Sequence, residues 1–416
     1  MRILQVNWTD LMGQRFNGFD LHKHFRKLGH QSYQVVYTKK SEDPDVWELD
    51  HFKARDKIRA KCTQLEDRFS LQELLPPFAF PLPFDKRFTS MDIVHYHLIH
   101  TKILSLFALP LLTRMKPSVW TLHDPWAFTG RCIHPFDCER WKTGCGNCPY
   151  MDSLFTMRED HTALMWKIKK YVYALSRFHL IVGSQWMYER VKQSPLLSRF
   201  NVHLIPFGVD LDIYKPGDGQ AAKKKLGVEP GRTVISFRAA AYALKGLDYV
   251  KDALRRLETD RPICLLTFND KGLVDEFKGK FQIIELGWVD DPQLMADAYN
   301  ATDLFLMPSL AESFGMMAME AMAFGKPTIS FADTAIAEVT QAPEGGVAVP
   351  YRDAAALAEA AKRLVENDGE RLTLGAQARV IAEKRYSFAV HAEKVLALYR
   401  DILGAGEDKQ KEDAHD

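Results

Sequence analysis

Short apolar runs alternate along this chain with longer stretches whose apolar positions recur at helical spacing. The runs fall at 3–6, 32–37, 92–96, 118–122, 180–182 and 202–205, then at 233–237, 263–267, 283–286, 304–307 and 347–349. A further strand is expected after Gly325. Between them, helical patterns occupy 19–28, 104–112, 162–178, 293–300 and 354–366, with another helix from Leu247 and two closing the chain. A strand–helix rhythm of this kind predicts an α/β chain built on parallel sheets. The rhythm runs twice, broken by I-P-F-G-V-D-L-D-I-Y-K-P-G-D-G, in which Pro206, Gly208, Pro216, Gly217 and Gly219 interrupt regular structure. Two Rossmann-like domains are expected: residues 1–207, a linker at 208–219, and residues 220–385. A helix at 386–405 should pack back on the first domain, and a polar tail, 406–416, should be disordered.

Length agrees with two domains, since 416 residues exceed one ordinary core. Net charge of +1 provides no overall basic field for a nucleic-acid backbone. No run of 18 apolar residues suggests a spanning helix, and M-R-I-L-Q-V-N lacks a signal core, so a cytoplasmic protein is expected. Residues 51–70 carry Lys53, Arg55, Lys57, Arg59 and Lys61, and a Pro-rich apolar stretch follows at 74–84. A solvated helix and a surface loop are the plain reading. Contact with an anionic membrane or a lipid-linked acceptor is the functional one.

The chemistry concentrates between Pro308 and Ile329. Glu312 and Glu320 stand eight apart, the first in a turn and the second inside a helix. Ser313, Phe314 and Gly315 lie between them, where a helix start presents its N–H groups. Carboxylates suit sugar hydroxyls rather than phosphate. Arg238 and Lys245 flank the loop after the strand at 233–237 and suit a diphosphate. Trp288, after the strand at 283–286, either stacks on a base or is packed. In the first half, His123 and Asp124 end the strand at 118–122, and a loop with Gly13 and Gly18 follows the first strand. Ligands of open α/β sheets bind at that carboxyl edge.

Cys132, Cys138, Cys145 and Cys148 fall within one loop, an insertion at 132–148. C-G-N-C has the spacing of a metal knuckle, which favours a closed structural zinc site over thiols or disulfides, with His134 as a substitute ligand. Four protein ligands would leave no open position, so no catalytic metal is expected there.

Taken together, E-S-F-G-M-M-A-M-E-A-M-A-F-G-K-P, I-P-F-G-V-D and L-K-G-L-D-Y resemble family 4 retaining glycosyltransferases of the GT-B fold, in which two Rossmann-like domains face each other across a cleft. T-L-H-D-P-W-A-F-T-G-R-C and W-K-T-G-C-G-N-C-P resemble a bacterial subgroup that assembles exopolysaccharide, capsule or O-antigen, including colanic-acid-type enzymes. The resemblance implies that Glu320 holds ribose hydroxyls and that Glu312 contacts the donor sugar, with help from the backbone at Phe314 and Gly315. It implies that Arg238 and Lys245 bind the diphosphate of a UDP- or GDP-linked sugar, and that His123 reaches the donor sugar from the first domain. Asp124 is either a base or the orienter of its own loop. The acceptor would be a saccharide or a lipid-linked saccharide, with peripheral contact to the inner membrane. Two departures stand out. The first loop reads G-Q-R-F-N-G instead of an adjacent glycine pair, with Arg15 as a further candidate, and the spacing from Arg238 to Lys245 is longer than in the family. A non-catalytic sugar-nucleotide-binding protein that docks a partner through its cysteine loop is the rival reading, and a zinc or redox enzyme is the third.

Overall fold

The computed structural model describes residues 1–11, 13, 18–49, 52–152 and 157–412, with side chains through 405. Arg15 lies outside the described residues. The chain divides into two compact units, Met1–Ile205 with Ala392–Asp416, and Pro206–His391.

The first unit is built on a seven-stranded sheet. Its strands are β1 (Arg2–Thr9), β2 (Gln31–Thr38), β3 (Val46–Glu48), β4 (Ile93–Tyr96), β5 (Ser118–Leu122), β6 (His179–Val182) and β7 (Asn201–Leu204). All pair in parallel, in the order β3-β2-β1-β4-β5-β6-β7. Strands covered on both faces must be apolar throughout, and β4 and β5 are buried at every position. Connecting helices are α1 (Phe19–Lys27), α2 (Arg55–Arg68), α3 (Lys86–Thr89), α4 (Leu109–Met115), α5 (Thr162–Leu175) and α6 (Gln185–Gln193). Ser184 starts α6 by accepting from the N–H of Met187 at 3.1 Å. The basic face of α2 is partly packed, because the guanidinium groups of Arg55 and Arg59 lie over the Tyr37 ring at 5.0 and 4.9 Å.

The second unit has six parallel strands in the order β10-β9-β8-β11-β12-β13. They are β8 (Thr233–Ala239), β9 (Ile263–Asn269), β10 (Gln282–Gly287), β11 (Leu304–Met307), β12 (Thr328–Phe331) and β13 (Gly346–Val349). Around them lie α7 (Gly219–Leu226), α8 (Leu247–Arg256), α9 (Pro292–Ala301), α10 (Met316–Ala323), α11 (Ala335–Val339), α12 (Ala354–Glu366) and α13 (Asp368–Arg385). Two apolar layers, one containing Leu265, Leu306 and Leu357 and the other Leu266, Phe305 and Tyr299, make up the main core. Asp218 accepts from two N–H groups to start α7, inside the segment expected to end the linker.

The last helix, α14 (Phe388–Glu412), begins in the second unit and continues in the first. Tyr399 is wholly buried in the first unit, 2.6 Å from Nδ1 of His95. The helix runs past Gly406, the expected start of the tail, and residues 413–416 lie outside the described residues. Among the described residues, no helix is long and apolar enough to cross a membrane.

Candidate functional site

In each sheet the strand order reverses once, and the loops on either side diverge there to leave a crevice at the carboxyl ends. In the second unit the reversal lies between β8 and β11. The turns after these strands carry Lys245 and Glu312, and the two side chains form an ion pair. The turns are stitched together by the N–H of Leu310, which donates to the carbonyl of Leu244 at 2.9 Å. Gly246 makes that approach possible. Its φ is +70°, and a Cβ there would lie 1.9 Å from the carbonyl oxygen of Pro308.

Arg238 leaves the end of β8 and donates to Oδ1 of Asn269 at 2.9 Å. Its guanidinium lies 5.6 Å from the centre of the Tyr242 ring. Gly315 starts α10 with φ +98°. Phe314 is buried against Phe207, ring centres 5.0 Å apart, so its contribution to a ligand is confined to its backbone. Glu320 is 3 % exposed and accepts from the hydroxyl of Tyr299 at 2.7 Å. A carboxylate taken from water to this degree requires such a donor. Trp288 is not packed: it is 69 % exposed and donates to Asp290 at 2.7 Å. The second unit thus brings Lys245 and Glu312 into contact, with Arg238 at the end of β8 and Gly315 and Glu320 in the segment that follows β11.

In the first unit the order reverses between β1 and β4. Histidines line this edge. Nε2 of His97, just beyond β4, donates to Oε1 of Gln5 at 2.7 Å. Its Nδ1 is then an acceptor in the neutral ring, and it faces Nε2 of His123 at 3.4 Å. The two rings are stacked, with centroids 5.7 Å apart. This contact favours the His123 tautomer that carries its proton on Nε2. Gly18 (φ +82°) makes room for the pair, since a Cβ there would lie 2.5 Å from His97. Gly13 also has positive φ, at +67°, in the same loop.

Both oxygens of Asp124 are engaged. One oxygen faces Nε2 of His100 at 3.1 Å, and the other accepts from the N–H of Trp126 at 2.9 Å. Burial works to raise the Asp124 carboxyl, but the charge and hydrogen bond of His100 and the Trp126 N–H outweigh it and hold it below its ordinary range.

The structure does not show the expected zinc site. Among the described residues, no three His, Cys, Asp or Glu side chains form a group that could hold a metal ion. Cys132, Cys138, Cys145 and Cys148 form no disulfide. They do line one small cavity. Spacing along a chain brings knuckle cysteines near one another, but it does not set the directions of their sulfurs.

Gln5, His97, His100, Asn269 and Tyr299 were missed by sequence reasoning. Gln5, His97 and Asn269 lie in or just after strands and meet their partners through strand register, whereas His100 meets Asp124 between two loops and Tyr299 meets Glu320 between two helices.

Residues 19–213 match the family described as Glycosyltransferase Family 4, and residues 232–367 match Glycosyl transferases group 1. A D-inositol 3-phosphate glycosyltransferase of Segniliparus rotundus is 32% identical over 219 residues, covering 49% of this chain and 48% of that protein. The chain spans about half the length of the curated relatives of this kind that it matches. The putative colanic acid biosynthesis glycosyl transferase WcaC of Escherichia coli K12 is 24% identical over 292 residues, covering 65% of this chain and 67% of that one. Among solved structures, sucrose-phosphate synthase from Thermosynechococcus elongatus superposes with a TM-score of 0.69 at 18% identity, covering 97% of this chain and 100% of that one. Anabaena Alr3699/HepE in complex with UDP and glucose does so with a TM-score of 0.65 at 16% identity, covering 96% and 99%.

Proposed function

Because this chain has the GT-B fold and belongs to the group 1, family 4 glycosyltransferases, we propose that it moves a sugar from a nucleoside diphosphate sugar to a hydroxyl of a saccharide or lipid-linked acceptor. The observation that carries the reading is the Lys245–Glu312 pair at the strand reversal of the second unit. A diphosphate entering there competes with Glu312 for the Lys245 ammonium. The exchange turns Lys245 and Arg238 toward the phosphates and leaves Glu312 to accept from a hydroxyl of the sugar. Glu320, fixed by Tyr299, takes the ribose hydroxyls.

As the glycosidic bond breaks, negative charge grows on the diphosphate and positive charge on the sugar. Cations held at the first and carboxylates near the second stabilise that separation more than they stabilise the ground state. We read His123 as a contact to the transferred sugar, with His97 and Gln5 fixing its ring. The anomeric configuration is retained in this proposal, as the family resemblance implies. Likeness to the colanic acid protein supports a place in bacterial surface polysaccharide assembly, and the UDP complex of the Anabaena protein supports a UDP sugar, with GDP as the other candidate. The exposed Phe80 and Phe84, within the Pro-rich stretch, support peripheral membrane contact, which sedimentation with anionic vesicles would test.

The experiment is a panel of nucleotide sugars scored by thermal stabilisation, followed by product analysis with the donor that stabilises most. A donor that stabilises the chain and is transferred with retention supports the reading. A donor that binds without transfer or hydrolysis across saccharide and lipid-linked acceptors replaces it with the sugar-nucleotide-binding one.

A further inference from the structure

The amino edge of the first unit's sheet carries an open cavity of about 540 Å³. Pockets that take small molecules have volumes of this order. Ser118, which opens β5, lies on its wall, and His123 follows the far end of that strand. Roughly 16 Å of strand therefore separates the cavity from the histidine edge. Four cations line it: Arg114 and Lys116 at the end of α4, Arg177 after α5, and Arg199 before β7. Among the described residues no carboxylate lines it. All of its lining but Ile402 comes from residues 93–123, 161–188 and 190–209, and these stretches contain no Asp or Glu. Asp401, the neighbour of Ile402, lies within electrostatic reach of His203.

Part of this charge serves the helices themselves. Nη2 of Arg199 donates to the carbonyls of Tyr173 and Ser176, at the end of α5, at 2.8 and 3.0 Å. Lys116 donates to the carbonyl of Thr89 at 2.6 Å. A helix end amounts to roughly half a negative charge, so the ends of α4 and α5 together offset about one of the four cations. The remainder is a local positive surplus, which repels itself unless an anion settles there. The cavity is also held in shape. The N–H of Arg177 donates to the hydroxyl of Thr113 at 3.0 Å, tying the turn after α5 to α4. Both bonds of Arg199 use Nη2, which leaves Nε and Nη1 for a ligand, and its guanidinium is set 4.8 Å from the centre of the buried Phe200 ring. Arg114 and Arg177 are exposed.

We propose that this cavity binds a phosphate-bearing anion, held by Arg114, Arg177 and Arg199 of the first unit. Three guanidinium groups favour phosphate, because the planar fork of arginine matches two of its oxygens at once. Two sources carry this chemistry. Leu111 and Met115 of α4 are exposed on either side of Arg114 in the sequence, which suits the headgroup of an anionic lipid. A soluble phosphate ester is the other source. In either case the anion joins the end of α4, the turn after α5 and the approach to β7, and so stabilises the first unit. The inference does not rest on the sugar-transfer reading, whose cations Lys245 and Arg238 belong to the second unit.

The test is calorimetry on the full chain with inorganic pyrophosphate at low ionic strength. Pyrophosphate also resembles the diphosphate expected at Lys245, so Lys245→Ala is titrated beside the parent chain. Binding should persist in Lys245→Ala and weaken about tenfold in each of Arg114→Ala and Arg177→Ala, the loss of one charge-assisted contact. On the parent chain, pyrophosphate should shield Arg114 and Arg177 from phenylglyoxal, read by peptide mapping, a result that needs no variant to fold. Vesicles separate the two sources. Sedimentation with phosphatidic acid vesicles but not with phosphatidylcholine, lost when both arginines are replaced, assigns a lipid headgroup. Sedimentation that is the same for parent and double variant, with pyrophosphate binding lost only in the variant, assigns a soluble phosphate ester. Absence of pyrophosphate binding in Lys245→Ala overturns the site, as does binding that both arginine variants keep at full strength or modification of both arginines at an unchanged rate.

Discussion

The two strand reversals share an architecture and differ in chemistry. At β8/β11 the segments after the strands carry formal charges of both signs, Lys245 paired with Glu312, with Arg238 at the end of β8 and Glu320 inside α10. At β1/β4 it carries imidazoles held by a neutral amide, Gln5 to His97 to His123. A charged edge binds and neutralises a diphosphate. A histidine edge orients hydroxyls and moves protons with little fixed charge. The comparison teaches that one sheet architecture can carry different chemistry, because a few side chains after its central strands set the charge of each edge.

Glycine provides the first way to break the comparison. Both edges use one at positive φ, but Gly246 faces backbone and Gly18 faces the tip of a side chain. Gly246→Ala should destabilise by about 2–6 kcal/mol, backbone strain and overpacking together. Gly18→Ala should cost about 1–3 kcal/mol and displace His97. Denaturant unfolding checks both. Equal losses would mean that the two approaches are equally able to yield.

Removal of the buried partner of a carboxylate comes next. Tyr299→Phe deletes the hydroxyl donor to Glu320 and should cost about 1–3 kcal/mol of stability. Donor affinity should fall with it, since Glu320 is then less firmly placed. Full stability with full affinity would show that Glu320 does not rely on Tyr299.

The effect on activity is smallest for a carboxylate of the first unit that lies away from the histidine edge. Glu73 is 3 % exposed, and burial, then the charge of Glu66, pushes it up to about 8 from an ordinary 4.5. Between those values the native state holds a proton that the unfolded chain has lost. Its contribution therefore favours the fold at low pH and is lost as pH rises toward 8. Glu73→Gln cannot ionise. Its melting temperature should gain on that of the parent chain as pH rises through the window, with little change in activity. A difference that is flat with pH would contradict the assignment.

Much of the second unit's edge was legible in the sequence because its residues are close along the chain. Glu312, Gly315 and Glu320 fall on one turn and one helix, and helical spacing alone relates them. The first unit's edge was not legible in the same way. Gln5 lies inside β1 and His97 and His123 follow β4 and β5, and only the parallel register of these three strands brings them together. His123 was found by its place at a strand end, but nothing local marked His97 or Gln5. The short edge strand β3 was missed as well, since three residues are too few to show a period. The cysteines show the opposite limit. Their spacing was plain, but the directions of their sulfurs depend on a loop with little regular structure.

The central claim, that the second unit's edge binds the donor and the first unit's edge serves the chemistry, is tested most directly by donor calorimetry and turnover on two variants. Lys245→Ala should lose about 1.5–3 kcal/mol of donor binding, roughly 10- to 150-fold in affinity. His123→Ala should keep donor affinity within about threefold, a fraction of the 1.4 kcal/mol that corresponds to tenfold, and lose turnover instead. Unchanged donor affinity in Lys245→Ala, with the loss appearing in His123→Ala, would contradict the account.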